Sequence, residues 1–600
     1  MKIETNTYKE KVAGCFVGKS VGGTLGMKYE GDLNYNNVEY YDPVPDTMIP
    51  NDDLDLQVVN VETILRTGLP VCRYNVSEIW KYHIVEGCPD EYGVSVSNHR
   101  NKVFSPLSGI YRNKFTEGLG GAIRSEVWAC LAPANPSLAA KLAKEDACTD
   151  HSENGIYAEM FLAAFESLAF VECDIEKITE IALQQIPDGS KLKFALLDTI
   201  KWFKETSDVL TVRKKILEHY HSDNWTNVCI NLPFMLLSII ASEGDFDKAI
   251  CTAASLGYDG DCTTATVGAI MGLLRPDSIS EKWTAPIGMD LVLSPNIINM
   301  HEVRTIDEFC EQIISIAYDV QEYYKTGIEF SEKLAKTEKT ALPKPWTENF
   351  EEVFDWEIGE KASVIAIKPL MISLVYPEKI SVFPEQENSF KLRLANITNT
   401  KMEGNVELRL LNGWKAEMPN ARFCLAAGER IELPLSVFVP SPKRRTNLNI
   451  LSMDITINDV TTTVEAGLPM TRNWLVENSE TKEKYLEETS GIYFKVPAGK
   501  YTYKTMMEVP AERKARMSAN GSGYFKAYLN CVNTHVNSGD YYMPAFHREG
   551  NWKEVELLHG FNEIMIEFEN SKETEFFLGF STIYSCGEWL DSVEFTTEGI

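Results

Sequence analysis

The 600-residue chain is poor in basic residues. Lys and Arg number 58 against 87 Asp and Glu, which gives a formal net charge of −29. Nucleic acid backbones and anionic lipid surfaces are held by Lys and Arg, so this deficit argues against both as general partners. Long apolar runs are also missing. The most apolar stretch, 228–241, is interrupted by Asn231 and Pro233 and is too short to span a bilayer. The opening MKIETNTYKEKVAG lacks the basic-then-apolar pattern of a secretory signal. The 13 cysteines are odd in number and include no CxxC pair, so no disulfide framework or zinc spacing is readable. Free, mostly buried thiols in a reducing cytoplasm are expected. No G-x-G-x-x-G lies between a strand pattern and a helix pattern, which leaves a dinucleotide fold unsupported.

Two kinds of periodicity are present, and they change over near residue 345. Up to about Glu338 the chain reads as helices. Leu54, Val58, Val61 and Leu65 fall at helical spacing, and 156–171, 191–205, 226–242, 263–274 and 306–324 read likewise. The stretch 263–274 is rich in small residues, which suits a buried central helix. The proline- and acid-containing stretch 339–357 reads as a linker. Strand alternation follows at 389–398, 404–414 and 453–466, the last a hairpin expected to turn at Asn458-Asp459. A second β unit begins near 475, with its clearest strands at 524–530, 560–570 and 575–581.

Three stretches of the helical half carry chemistry. In IPNDDLDLQ (49–57), Asn51, Asp52 and Asp53 stand at a helix start. Asn and Asp favour such positions because they cap exposed N–H groups, but consecutive oxygen donors there can also converge on a hard cation such as Mg2+. In LGYDGDCTTATVGAIMG (256–272), Asp259 and Asp261 flank Gly260 ahead of the small-residue helix. The glycine permits a turn that gathers both carboxylates, and acids heading a buried helix are costly without a cation. The third element is glycine-rich, in GCFVGKSVGGTLGMKYEG (14–31) and GLGGAIRSE (118–126). Each reads either as close helix packing or as a backbone cradle for phosphate.

These stretches, together with AKEDACTDHSENGIYAEMF (143–161), occur in the order seen in the ADP-ribosylglycohydrolase family, which the chain resembles over about residues 8–325. The resemblance implies an all-α catalytic domain with one or two Mg2+ ions in a cleft. It implies Asn51, Asp52, Asp53, Asp259 and Asp261 as metal ligands, with Cys262 and Thr263 at the following ligand position. It implies Glu30 beside the metals, with Glu30, Asp52, Asp259 and Asp261 as the catalytic acids. Gly118, Gly120 and Gly121 fall in the loop around the diphosphate, with Arg124 near it, and His151 matches a substrate-side histidine. Three positions depart from the family pattern: Asn51 for Thr or Ser, Cys262 for Thr or Ser, and Gly23 for Asp. They are similar to a branch found in bacteria.

The β half is similar to an immunoglobulin-like module and a galactose-binding-like jelly roll, of the kind that accompanies carbohydrate-active enzymes. The expected architecture is therefore multidomain: an all-α ADP-ribosylglycohydrolase-like catalytic domain (1–340), a linker (341–370) and two all-β sandwich domains, immunoglobulin-like (371–472) and jelly-roll (473–600). Trp552 and Trp589 are candidates for stacking on a sugar, and Lys443-Arg444-Arg445 reads as a solvated loop. Three functions are carried forward. The first is a Mg2+-dependent hydrolase of an ADP-ribosyl bond. The second is a hydrolase of an ordinary glycoside using the same acids. The third is a non-catalytic ligand-binding protein. The expected partner is a small-molecule or glycosyl-modified substrate, with carbohydrate at the C-terminal β domain.

Overall fold

The computed structural model describes residues 1–85, 90–332, 357–411, 413–419, 421–441, 444–538, 552–583, 590 and 592–600. The chain forms two compact units. One comprises Met1–His83 and Phe115–Glu351; the other comprises Ile84–Lys114 and Glu352–Ile600.

The first unit is helical. Helix α1 (Thr5–Gly26) leads through a short turn to strand β1 (Glu30–Asp32). Helix α2 (Asp52–Thr67) follows, then α3 (Asn154–Ala169). The two-residue strand β2 (Tyr258–Asp259) runs directly into α4 (Gly260–Leu274). The helices expected at 191–205, 226–242 and 306–324 form as Lys191–Thr206, Val228–Ser242 and Ile306–Tyr323.

Small residues set how α1 and α4 pack. A Cβ on Gly18 would overlap the Gly268 carbonyl, one on Gly22 the Thr264 carbonyl, and one on Gly26 the Gly260 carbonyl. The contacts run in opposite directions along the two helices, so α1 and α4 are antiparallel with their backbones touching every fourth residue. The first glycine-rich stretch is therefore a helix-packing surface. The packing also carries the C-terminal end of α1 to the N-terminal end of α4. There β1 pairs with β2, with Glu30 opposite Asp259.

The second unit is rich in strands and holds two cores. In the first, Val406, Leu425, Met453 and Leu468 pack with Leu374, Leu392 and Leu435 from the facing sheet. The strand Ala362–Ala366 belongs to this sandwich, ahead of residue 371. Leu448–Ile457 and Val460–Pro469 form the expected hairpin, and Asn458 and Asp459 both adopt positive φ, as a two-residue turn requires. Val103, Phe104, Leu107 and Tyr111 enter the same core, so residues 84–114 cluster with the strands although they lie within the helical half of the sequence. The second core gathers Trp474, Tyr503, Met517, Ile566 and Leu578.

The solvated-loop reading of 443–445 is corrected in part. Arg445 is buried and paired with Glu488, and Arg444 pairs with Glu508, because acids on neighbouring strands face the turn. Lys443 lies outside the described residues. Among the described residues, no helix is long and apolar enough to cross a membrane.

Candidate metal centre

Two helix starts and one strand pair build the site. Asn51 is the N-cap residue of α2 and Asp259 is the N-cap residue of α4, yet neither side chain caps its helix. The ordinary reason for Asn and Asp at these positions is thus not realised. Asn51 instead stands against α1: a Cβ on Gly23 would lie 2.5 Å from its amide nitrogen. Gly23 and Asn51 are therefore coupled sterically.

Asp52, Asp53, Asp261 and Cys262 each offer an atom that lies within 4.8 Å of the others. Asp53 and Asp261 are buried and Asp52 is half-buried. Among the described residues, Asp53 Oδ2 and Asp261 Oδ1 have no hydrogen-bond partner. Burial, reinforced by neighbouring carboxylates, raises the Asp52 and Asp259 carboxyls well above the usual range and pushes Asp261 up to about 8. Burial and the same acids push the Cys262 thiol up. The assembly carries more negative charge than its own cations offset, which is what a cation site looks like before the cation is counted. Orphaned carboxylate oxygens and a convergent donor set fit a divalent metal; the sulfur of Cys262 does not fit Mg2+.

Other side chains complete the frame. Exposed Glu30 pairs with Asp259 across β1 and β2, and its charge adds to the field on Asp52, Asp259 and Asp261. The Asp259 backbone N–H donates to Asn231 Oδ1 at 3.4 Å, so the residue that interrupts the apolar stretch 228–241 holds β2 in place. The Thr263 hydroxyl donates to the Asp259 carbonyl at 2.7 Å, as part of the helix start.

Lys19 was not singled out from the sequence. It is buried in α1, and its ammonium donates to Asp53 Oδ1 at 3.1 Å and to Glu126 Oε1 at 2.8 Å. Burial alone would lower its pKa, but the two carboxylates hold it above the ordinary lysine value. The available signal was a lysine in a stretch otherwise made of small and apolar residues.

The second glycine-rich stretch is placed differently from the acids. The Gly118 N–H donates to the Phe115 carbonyl, and the Gly120 carbonyl accepts from Arg124. The Gly121 N–H donates to His151 Nε2 at 3.1 Å, so Nδ1 carries the ring proton and donates to Asp150 at 2.7 Å. Arg124 is fully buried. Its Nε donates to Asp146 at 2.9 Å and its two amino nitrogens to Asp150, each at 2.9 Å. Arg124 and the Gly121 N–H thus face internal partners. In the β-rich unit, the Arg516 guanidinium covers the Trp552 ring at 4.2 Å, and Trp589 lies outside the described residues.

Fold and site together define an all-α domain with a buried carboxylate centre suited to a divalent cation. The model of the ADP-ribosylglycohydrolase family matches residues 4–321, and the chain belongs to that family. Among solved structures, one described as an ADP-ribosylglycohydrolase-related protein complex is similar at 16% identity and TM-score 0.37, covering 53% of this chain and 99% of its own. An α-L-rhamnosidase from Aspergillus terreus is similar at 11% identity and TM-score 0.15, covering 36% of this chain and 28% of its own. A FixG-related protein from Vibrio parahaemolyticus is similar at 20% identity and TM-score 0.15, covering 17% and 98%. No curated protein matches the chain.

Proposed function

We propose that the chain is a metal-dependent hydrolase that cleaves a glycosidic bond at an anomeric carbon, with an ADP-ribosyl or related ribosyl group as substrate. One observation carries the metal-dependent part: Asp52, Asp53, Asp261 and Cys262 converge while two buried carboxylate oxygens lack partners among the described residues. Family membership supports the hydrolytic part.

A bound divalent cation supplies Lewis-acid polarisation and a water of lowered pKa. Asp52, Asp53 and Asp261 hold it. Lys19 fixes Asp53 by engaging one carboxylate oxygen and leaving the other for the site. Asp259, backed by Asn231, stands beside Asp261 as a base for the attacking water. Glu30, exposed and paired with Asp259, is the acid that exchanges a proton with the leaving group as an oxocarbenium-like transition state forms. Mg2+ is the cation that the all-oxygen part of the set suits.

A second reading, hydrolysis of a glycoside without a diphosphate, gains from one observation. Arg124 and the Gly121 N–H, the groups expected to meet phosphate, are engaged internally. Carbohydrate binding by the β-rich unit belongs with this reading.

The deciding experiment is calorimetric titration of ADP-ribose into the full chain with saturating divalent cation, beside turnover assays on an ADP-ribosyl peptide and on aryl glycosides. Micromolar ADP-ribose binding that is lost in Asp259→Ala, with turnover of the peptide, is expected. Turnover of glycosides without ADP-ribose binding would replace the first reading by the second. Cation binding without any turnover would favour a ligand-binding protein.

A further inference from the structure

Cys262 differs in chemistry from the rest of the cluster. It follows Asp261 in the first turn of α4, and both are buried. The four donor atoms of Asp52, Asp53, Asp261 and Cys262 lie within 4.8 Å of one another. Donors around a single first-row cation sit roughly 2.0–2.3 Å from it and so at most about 4.6 Å apart. The 4.8 Å bound is slightly wider than that, so the four donors need only draw in to share one ion. A separate observation points to a ligand: Asp53 and Asp261, each more than nine-tenths buried, keep a carboxylate oxygen without a partner among the described residues.

Sulfur decides which ion. Mg2+ takes oxygen donors in a near-ideal octahedron and keeps part of its water, and a thiolate competes poorly with that water. Zn2+ accepts thiolate and carboxylate together in four-coordinate sites and, being softer than Mg2+ or Mn2+, takes a sulfur donor that they do not. The neighbouring hydroxyl does not replace the sulfur, because Thr263 donates to the Asp259 carbonyl within the helix start. Lys19 engages one oxygen of Asp53 and leaves the other to the ion.

We propose that Cys262 ligates as a thiolate and that the cluster holds a thiophilic divalent cation of the zinc type in preference to Mg2+. The inference rests on the metal-dependent reading above and changes the identity of its ion. Binding is redox-neutral: the S–H bond breaks, its proton leaves to solvent, and the sulfur lone pair forms the metal bond.

The test uses the metal-stripped full chain and Co2+ as a spectroscopic stand-in for Zn2+. A near-ultraviolet sulfur-to-cobalt charge-transfer band is expected at one equivalent, lost in Cys262→Ser. Displacement of Co2+ by Zn2+ and not by millimolar Mg2+ is expected in the wild type, with Zn2+ affinity falling about tenfold or more in Cys262→Ser. Stoichiometric Co2+ binding without the band, or a band that survives in Cys262→Ser, would overturn the thiolate ligand and leave the metal-dependent reading standing. Ready displacement of Co2+ by Mg2+ would overturn the preference. Failure of the wild type to bind any divalent cation would overturn both. The wild-type spectrum and displacement do not depend on how the variant folds.

Discussion

The helical unit contains two buried assemblies of acids, and they are balanced in opposite ways. Around Arg124, the carboxylates of Asp146 and Asp150 receive the guanidinium directly, Glu159 lies 3.8 Å from it, and His151 bridges Asp150 to the loop backbone. Around Cys262, the carboxylates of Asp52, Asp259 and Asp261 act on one another, and among the described residues the nearby ammonium of Lys19 pairs with Asp53 and Glu126. The first assembly has a cation of its own that binds two of its three acids and ties the loop at 118–124 to the following helices, although Asp146 Oδ1 and both Glu159 oxygens also lack a hydrogen-bond partner among the described residues. The second leaves charge to be met from outside. Buried acids and orphaned oxygens alone do not mark a metal centre; among the described residues only the second assembly brings its donor atoms together within 4.8 Å.

The sharpest break between the two comes from single substitutions. Asp261→Asn removes a proposed cation ligand, and turnover is expected to fall by about 10^3-fold or more. The fold should remain, with an unchanged or higher melting temperature without metal, because one of several mutually repelling groups is gone. Measuring kcat/KM and Tm on the same preparation checks both halves. Retained activity would remove Asp261 from the centre.

Arg124→Met should behave in the opposite way. It leaves Asp146 and Asp150 buried without their cation, and breaking such a pair costs about 3–5 kcal/mol. Urea unfolding should register that loss. A variant of normal stability but weakened ADP-ribose binding would instead make Arg124 a substrate contact and merge the two assemblies.

Much of the architecture was readable in the sequence, and the reasons are local. The apolar spacing from Leu54 to Leu65 and the small residues of 263–274 mark helices by themselves, and three of the acids at their starts, Asp52, Asp53 and Asp261, are brought together in the candidate centre. Asn458-Asp459 between alternating runs marks a hairpin. What stayed hidden depends on partners far along the chain. A glycine-rich turn followed by Arg124 reads as an anion cradle until Asp146 and Asp150 are folded onto it. Lys19 reads as one charge in a glycine-rich helix until Asp53 and Glu126 arrive. The segment 84–114 lies among helices in the sequence, and only its long-range packing assigns it to the strand-rich unit.

Cation binding should sharpen the contrast by a smaller amount. A ligand bound only by the folded state stabilises it by about 2.7 kcal/mol at a hundred times its Kd. Added Zn2+, or Mg2+ at higher concentration, is expected to raise the Tm of the stripped wild type, and EDTA should reverse the rise. Asp261→Asn should show little of it, whereas a substitution that merely loosens the fold should keep it.

The last contrast is the pH dependence, where the two assemblies should differ in sign. Burial alone would raise the Asp150 carboxyl, but Arg124 and His151 beside it hold it down at about 2 in the folded chain. An unfolded aspartate titrates near ~3.9. Its stabilising contribution is therefore present above about pH 4 and lost as pH falls toward 2. Burial holds Asp261 up at about 8 and Asp55 up at about 6, in each case with Asp53 adding to the shift. For these the folded state binds the proton more tightly than the unfolded chain does. Stability of the stripped protein should then be highest near pH 4 and decline as pH rises through 6 and 8. Denaturant midpoints between pH 2 and 9 should trace both limbs, the acid limb flattening in Asp150→Asn and the alkaline limb in Asp261→Asn. Saturating metal should flatten the alkaline limb alone, because a bound cation favours the ionised carboxylates of one assembly and has no site in the other.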